Sequence, residues 1–187
     1  MDKKLRKIET DIDDLYIIEP NIYKDNRGEF LRVFCEDELT ELFSQEKIRQ
    51  INHSVTNKKG STRGLHFQYM PDNEIKIVKC IKGRVLDIVV DVRKNSTTFL
   101  KSFTVELSSK DKNMIYIPKG FAHGFQTLED DCELVYFHSG IYVPNNEGVI
   151  NIKDPILDIK LPLDIMDISK RDAEAPFINK KFEGIDI

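Results

Sequence analysis

The sequence predicts a mainly β fold, a jelly-roll barrel with a short N-terminal helix and a short helical C-terminal tail. Three observations carry this. Short β-branched and aromatic segments recur at fairly regular spacing, separated by turn residues. Only one stretch, Glu36 to Phe43, reads convincingly as a helix, with apolar Leu39, Leu42 and Phe43 on one side. So many consecutive antiparallel strands must close or stack as two sheets, because open edges invite aggregation.

In chain order, Leu15 to Ile18 reads as a strand and Glu19-Pro20-Asn21 as a turn, and Asp25-Asn26-Arg27-Gly28 is a turn feeding a strand over 29–34. After the helix, strands are expected at 48–53, 61–68, 75–81, 84–93, 102–107, 114–117, 121–127 and 132–139. Lys82-Gly83 reads as a hairpin turn between two long strands, and Lys119-Gly120 as a tight turn before His123. The Pro-interrupted tail from Asp154 is weakly periodic, with short helices expected over 164–174. No internal repeat or low-complexity segment breaks the chain, and its 187 residues suit a single domain spanning 1–187.

Charged residues make up 32 % of the chain, yet the net charge is −4 with both signs interspersed, so no global basic field suits nucleic acid or an anionic membrane. Cys35, Cys80 and Cys132 are odd in number and set among apolar residues, which argues against a disulfide framework or a zinc site and for reduced thiols. The N-terminus lacks an apolar stretch of signal length, and no run approaches the roughly 20 apolar residues of a membrane span. A cytoplasmic location is expected, and the Asn-x-Ser/Thr matches at Asn52 and Asn95 then carry no meaning for glycosylation.

Two segments stand out as chemistry. Residues 61–68 (Ser-Thr-Arg-Gly-Leu-His-Phe-Gln) and 117–125 (Ile-Pro-Lys-Gly-Phe-Ala-His-Gly-Phe) set Arg63, His66 and His123 into runs that otherwise read as buried strand. Polar groups among Val, Ile and Phe cost free energy unless they are satisfied or used. Two such places in a small domain suggest one shared pocket.

Six ordered motifs extend this reading: Asp25-x-Arg27-Gly28-x-Phe30, Gln50-x-Asn52-x-Ser54, Arg63-Gly64-Leu65-His66-Phe67-Gln68, Val90-Asp91-x-Arg93-x-x-Ser96-x-Thr98, Ile117-Pro118-x-Gly120-Phe121-Ala122-His123-Gly124-Phe125 and Ser169-x-x-Asp172-x-x-x-Pro176. Over nearly its whole length the chain resembles the dTDP-4-dehydrorhamnose 3,5-epimerase family, cupin-fold enzymes of nucleotide-sugar metabolism. The resemblance implies a cupin-type jelly roll, a nucleotide-linked 4-keto-6-deoxy sugar as substrate, inversion of carbons beside the ketone, no metal or organic cofactor, and a homodimer. A strand such as 15–18 could serve that dimer by exchanging between subunits.

The chemistry asks for particular groups. A hydrogen beside a ketone is acidic because its enolate is delocalised, so a base must sit on one face and a cation or donor at the carbonyl oxygen, with a proton donor on the opposite face. Histidine suits the base role at cellular pH, and His66 is the expected base. The resemblance pairs it with Asp172, which read alone would be a helix cap or a surface carboxylate. It assigns Tyr136, otherwise an amphipathic core or rim tyrosine, as the opposite acid, since a phenol holds its proton at neutral pH. Lys76 falls at the position near the ketone, while Arg27, Arg63 and His123 fall around the diphosphate, where arginine's planar fork suits phosphate. Phe30, Arg32, Gln50, Asn52, Glu147 and Arg171 complete the implied substrate-binding set. Read singly, each of the cations would be a solvated surface residue.

A metal site is the rival reading, since many cupins hold a metal through a His-x-His pair. Here the register is His66-Phe67-Gln68, with glutamine in the second position, and the reading is no metal and no cofactor. His53 and His138 read as polar strand decoration. Three departures from the family pattern point to a specialised member, acting on another nucleotide's sugar or inverting one carbon only. Arg32 stands where a glutamate near the base is usual, Ile141 where an aromatic is usual, and Phe137-His138-Ser139 where Lys-x-Thr is common. The competing functions are a non-catalytic nucleotide-sugar-binding cupin and a ketoisomerase working through the same kind of enediol.

Overall fold

Strands form where β-branched residues repeat between turn residues, and the helix forms where apolar spacing lengthens to three and four. The computed structural model describes residues 3–187. Its strands are β1 (Leu5–Glu9), β2 (Tyr16–Pro20), β3 (Ile22–Asp25), β4 (Gly28–Leu31), β5 (Gln50–Thr56), β6 (Ser61–Gln68), β7 (Lys76–Lys82), β8 (Arg84–Asp91), β9 (Ser102–Ser108), β10 (Met114–Ile117), β11 (Phe121–Thr127), β12 (Cys132–His138), β13 (Glu147–Val149) and β14 (Asp167–Ile168). The helices are α1 (Glu36–Phe43) and α2 (Lys170–Ala173). None among the described residues is long and apolar enough to cross a membrane.

The mainly β jelly roll is present as two facing sheets that do not join into one hydrogen-bonded ring. The first runs β1-β2-β10-β7-β12-β5 and the second β13-β6-β11-β8-β9, with β14 added parallel to β6. Val78, Cys80, Ile115 and Leu134 of the first sheet interdigitate with Val85, Val89 and Phe125 of the second. Two outer layers complete the packing. Helix α1 lays Leu39 and Phe43 over Ile77, Tyr116 and Phe137, and the C-terminal tail lays Ile150, Ile152, Leu157 and Ile185 over Leu65, Ile88, Val90 and Ala122. The tail read from sequence as weakly periodic is thus an apolar cover whose pattern follows a sheet surface rather than a helix.

Several expectations are corrected. Lys82-Gly83 makes no hairpin: β7 lies in the first sheet and β8 in the second, and the chain crosses between them at Gly83. Gly83 has φ +74°, and a Cβ there would fall 2.7 Å from Cys132 Sγ, so the corner requires glycine. Glu19-Pro20 belongs to β2 rather than to a turn, paired with Leu5 and Arg6 of β1. The strand expected at 29–34 ends at Leu31, and the expected helices at 164–174 reduce to α2 preceded by β14. Within one chain the strand expected at 15–18 is β2, paired on both sides, with β1 and β10. The short strands β1, β3 and β13 are additions that the sequence reading did not contain.

Candidate active site

Register places the two histidine segments together. On β6 and β11, His66 and His123 are directly opposite one another. The close approach depends on Gly64, at φ +102°, where a Cβ would lie 2.6 Å from the His123 carbonyl oxygen. Across the gap between the sheets, Tyr136 and His138 on β12 pair with Asn52 and Gln50 on β5, and His138 also pairs with Lys76 on β7. Together they line a cavity of about 340 Å³ with Arg63, His66 and His123 on one wall and Tyr136, Lys76, Gln50 and Asn52 on the other. Glu147, on β13 opposite Gln68, closes one end.

The tail supplies Asp172. Ser169 caps α2 by accepting the Asp172 N–H, which turns the carboxylate inward. Its Oδ1 lies 2.7 Å from His66 Nε2, and its Oδ2 accepts the Gly64 N–H at 3.1 Å. Burial alone would push this carboxyl up, but the bonds from His66 and Gly64 prevail and hold it below the ordinary carboxylate value. With Nε2–H given to Asp172, His66 presents Nδ1 as its basic nitrogen, 3.7 Å from Glu147 Oε1. Glu147 is likewise held low: burial is outweighed by Arg171, whose guanidinium bonds it at 2.6 Å, by His66 and by Tyr142.

Tyr136 faces this dyad from the other sheet. Burial pushes its phenol up from the ordinary value, so the proton is firmly held at neutral pH. Its hydroxyl lies 3.4 Å from Ser54 Oγ, and its ring meets His123 edge-on and His138 face-on. Lys76 Nζ sits 3.4 Å from Glu74. His123 is bound through Nε2 to Asp87, 2.9 Å away and fully buried.

Of the thirteen residues expected at the site, His66, Tyr136, Gln50, Asn52, Arg63, Lys76, His123 and Glu147 line the cavity. Asp172 and Arg171 border an adjoining hollow that shares Arg63, His66 and Glu147 with it. Arg27, Phe30 and Arg32 are not brought there within one chain. Arg27 and Phe30 lie on the two-stranded β3–β4 hairpin and Arg32 just past its end; Arg27 pairs with Asp25, Arg32 with Glu38, and Phe30 is 74 % exposed. Sequence reasoning missed Glu74 and Asp87, and it misread His138, which lines the cavity. The available signal was alternation: His138 is two residues from Tyr136 and so shares its face. Gln68, at the position of a second cupin histidine, donates its amide to the carbonyls of Asp72 and Ile141 and accepts the Val143 N–H. Among the described residues, no group of three or more His, Cys, Asp or Glu is arranged to hold a metal ion.

A family model described as dTDP-4-dehydrorhamnose 3,5-epimerase matches residues 9–180. The dTDP-4-dehydrorhamnose 3,5-epimerase of Salmonella typhimurium is 38% identical over 175 residues, 92% of this chain and 95% of that protein. The crystal structure of the Elizabethkingia anophelis dTDP-4-dehydrorhamnose 3,5-epimerase superimposes with a TM-score of 0.90 at 35% identity, covering 96% of this chain and 100% of its own. That of the Legionella pneumophila dTDP-6-deoxy-D-glucose-3,5-epimerase, solved with dTDP-4-keto-L-rhamnose, gives 0.87 at 39% identity, with 92% of each chain covered. With fold, motif order and near end-to-end similarity in agreement, this chain belongs to the dTDP-4-dehydrorhamnose 3,5-epimerase family.

Proposed function

We propose that this protein inverts the carbons beside the ketone of a dTDP-linked 4-keto-6-deoxy sugar, as a dTDP-4-dehydrorhamnose 3,5-epimerase. The observation that carries the reading is that a histidine–carboxylate dyad and a tyrosine hydroxyl come from opposite sheets onto one cavity. A sugar ring held between them has a base on one face and an acid on the other, which is what inversion requires.

His66 Nδ1 takes the proton from the carbon beside the ketone, and the electrons of that C–H bond move into an enolate. Asp172, already bonded to Nε2–H, stabilises the imidazolium so formed. Lys76 offers its ammonium to the enolate oxygen. Tyr136 then gives its proton to the same carbon from the opposite face and becomes a phenolate, and solvent restores both groups. Arg63, His123 and Arg171 are the anion ligands for the diphosphate, with Gln50, Asn52 and Glu147 lining the remainder.

Arg27, Phe30 and Arg32 fit this scheme in a homodimer, in which the β3–β4 hairpin of one subunit reaches the other's cavity. An exposed phenylalanine on a two-stranded hairpin supports that arrangement, since such a side chain gains by burial against a partner. The three unpaired thiols Cys35, Cys80 and Cys132 suit the reducing cytoplasm.

The test is deuterium exchange. In deuterium oxide with dTDP-4-keto-6-deoxyglucose, proton NMR should show loss of the signals at carbons 3 and 5 together with the inverted product. His66→Ala should abolish both. An unexchanged ligand would identify a binding protein, and a displaced carbonyl a ketoisomerase.

A further inference from the structure

The cavity holds three histidines, and each is bound to a buried carboxylate: His66 to Asp172, His123 to Asp87, and His138 to Glu74. The first two fall at positions with an assigned part. The third does not, yet it is as carefully built. Glu74 has 8 % of its side chain exposed and His138 12 %. Glu74 Oε2 lies 3.1 Å from His138 Nδ1, while its Oε1 lies 3.4 Å from Lys76 Nζ. The amide nitrogen of Asn52, a donor, is 3.4 Å from His138 Nε2, so Nε2 accepts and Nδ1–H is donated to Glu74. Burial works against ionisation of Glu74, but His138 and Lys76 prevail and hold its carboxyl below the ordinary value. The imidazole lies nearly flat on Tyr136, with ring centroids 6.0 Å apart and planes 21° from parallel.

One carboxylate therefore links the ring that backs the expected acid to the ammonium expected at the ketone. We propose that His138, tethered by Glu74, is a positioning residue for the protonation half of the reaction, fixing the Tyr136 ring by stacking. This rests on the epimerase reading above. The base sits on the opposite wall, where the hydrogen bond of His66 to Asp172 is separate from that of His138 to Glu74, and Lys76 meets Glu74 directly rather than through His138. Loss of His138 should therefore leave the enolate forming normally but hold the acid loosely. More of the enolate is then reprotonated by His66 on the face it came from, which returns unchanged substrate carrying solvent deuterium.

The readout is the ratio of deuterium exchange into substrate to formation of inverted product, followed by proton NMR in deuterium oxide. In His138→Ala the ratio should rise about ten-fold or more, with exchange itself within about three-fold of wild type. His138→Phe, which keeps a ring on Tyr136, should restore part of the inversion, and Glu74→Gln should shift the ratio in the same direction as His138→Ala. A general structural defect lowers both rates together, so an unchanged ratio in His138→Ala overturns the proposal. If that variant does not fold, Glu74→Gln decides: a raised ratio supports the proposal and an unchanged one overturns it. A wild-type protein that neither exchanges nor inverts overturns the functional reading and this proposal with it. One that does both, with variants that keep its ratio, overturns the proposal alone.

Discussion

At the residue scale, the catalytic proposal rests on one nitrogen being kept basic. Asp172 takes the His66 Nε2–H and leaves Nδ1 for the substrate. Asp172→Asn keeps the shape but loses the charge and allows the wrong tautomer, so kcat should fall by about 10²–10⁴-fold with KM little changed, as measured by coupled turnover. Tyr136→Phe should abolish inversion while deuterium exchange at the first carbon survives, because only the second proton transfer is lost. The depressed carboxyl of Asp172 also sets a pH dependence. Its folded value lies below its unfolded one, so its contribution to stability is present above the ordinary value near 4 and is lost as pH falls through the folded value. Urea midpoints of wild type should therefore drop below about pH 4, and Asp172→Asn should show a shallower drop.

At the scale of elements, the site depends on how closely β6 and β11 approach. Gly64→Ala would place a methyl 2.6 Å from a backbone oxygen at a positive φ, and neither strand can yield without losing the pairing of His66 with His123. A loss of about 2–4 kcal/mol in urea denaturation is expected, with activity lost in the fraction that still folds. On β7 the alternation that points Lys76 into the cavity sends Lys79 to the opposite face, where it is buried and donates to the Lys112 carbonyl at 2.6 Å. Burial lowers its ammonium to about 8. Because the folded value is below the unfolded one, the cost of burying this charge is fully present below pH 8 and disappears as pH rises toward 10.5. Lys79→Met should be more stable than wild type by about 1–3 kcal/mol at pH 7, with the gap closing by about pH 10, as read from chemical denaturation at both pH values.

At the scale of the whole molecule, two features of one chain ask for a second copy. The β3–β4 hairpin extends Arg27 and Phe30 away from the chain's own cavity, and the edge strand β5 leaves Ile51 and Val55 exposed. Light scattering should give twice the 21.7 kDa chain mass. Phe30→Asp should shift that mass toward the single chain or raise KM for the nucleotide sugar, because a charge replaces an apolar side chain at a covered surface. A monomeric wild type with full activity would refute the shared-site arrangement.

Much was legible in the chain itself. Strand alternation, the boundaries of α1, β6, β10 and β11, and the placing of His66 and His123 within apolar runs follow from local chemistry, because a period of two and a buried polar group leave their mark on neighbouring residues. The motif order by itself marks the family. Only the tertiary structure decided what depends on distant segments meeting. It turned the expected hairpin at Gly83 into a crossing between sheets, made an irregular tail the source of Asp172, and set His138 against Tyr136 and Glu74. It also separated Arg27, Phe30 and Arg32 from the cavity of their own chain. The reason is physical: local sequence fixes which side of a strand a residue faces, whereas the partner across the gap is chosen by packing between sheets whose strands lie far apart in the chain.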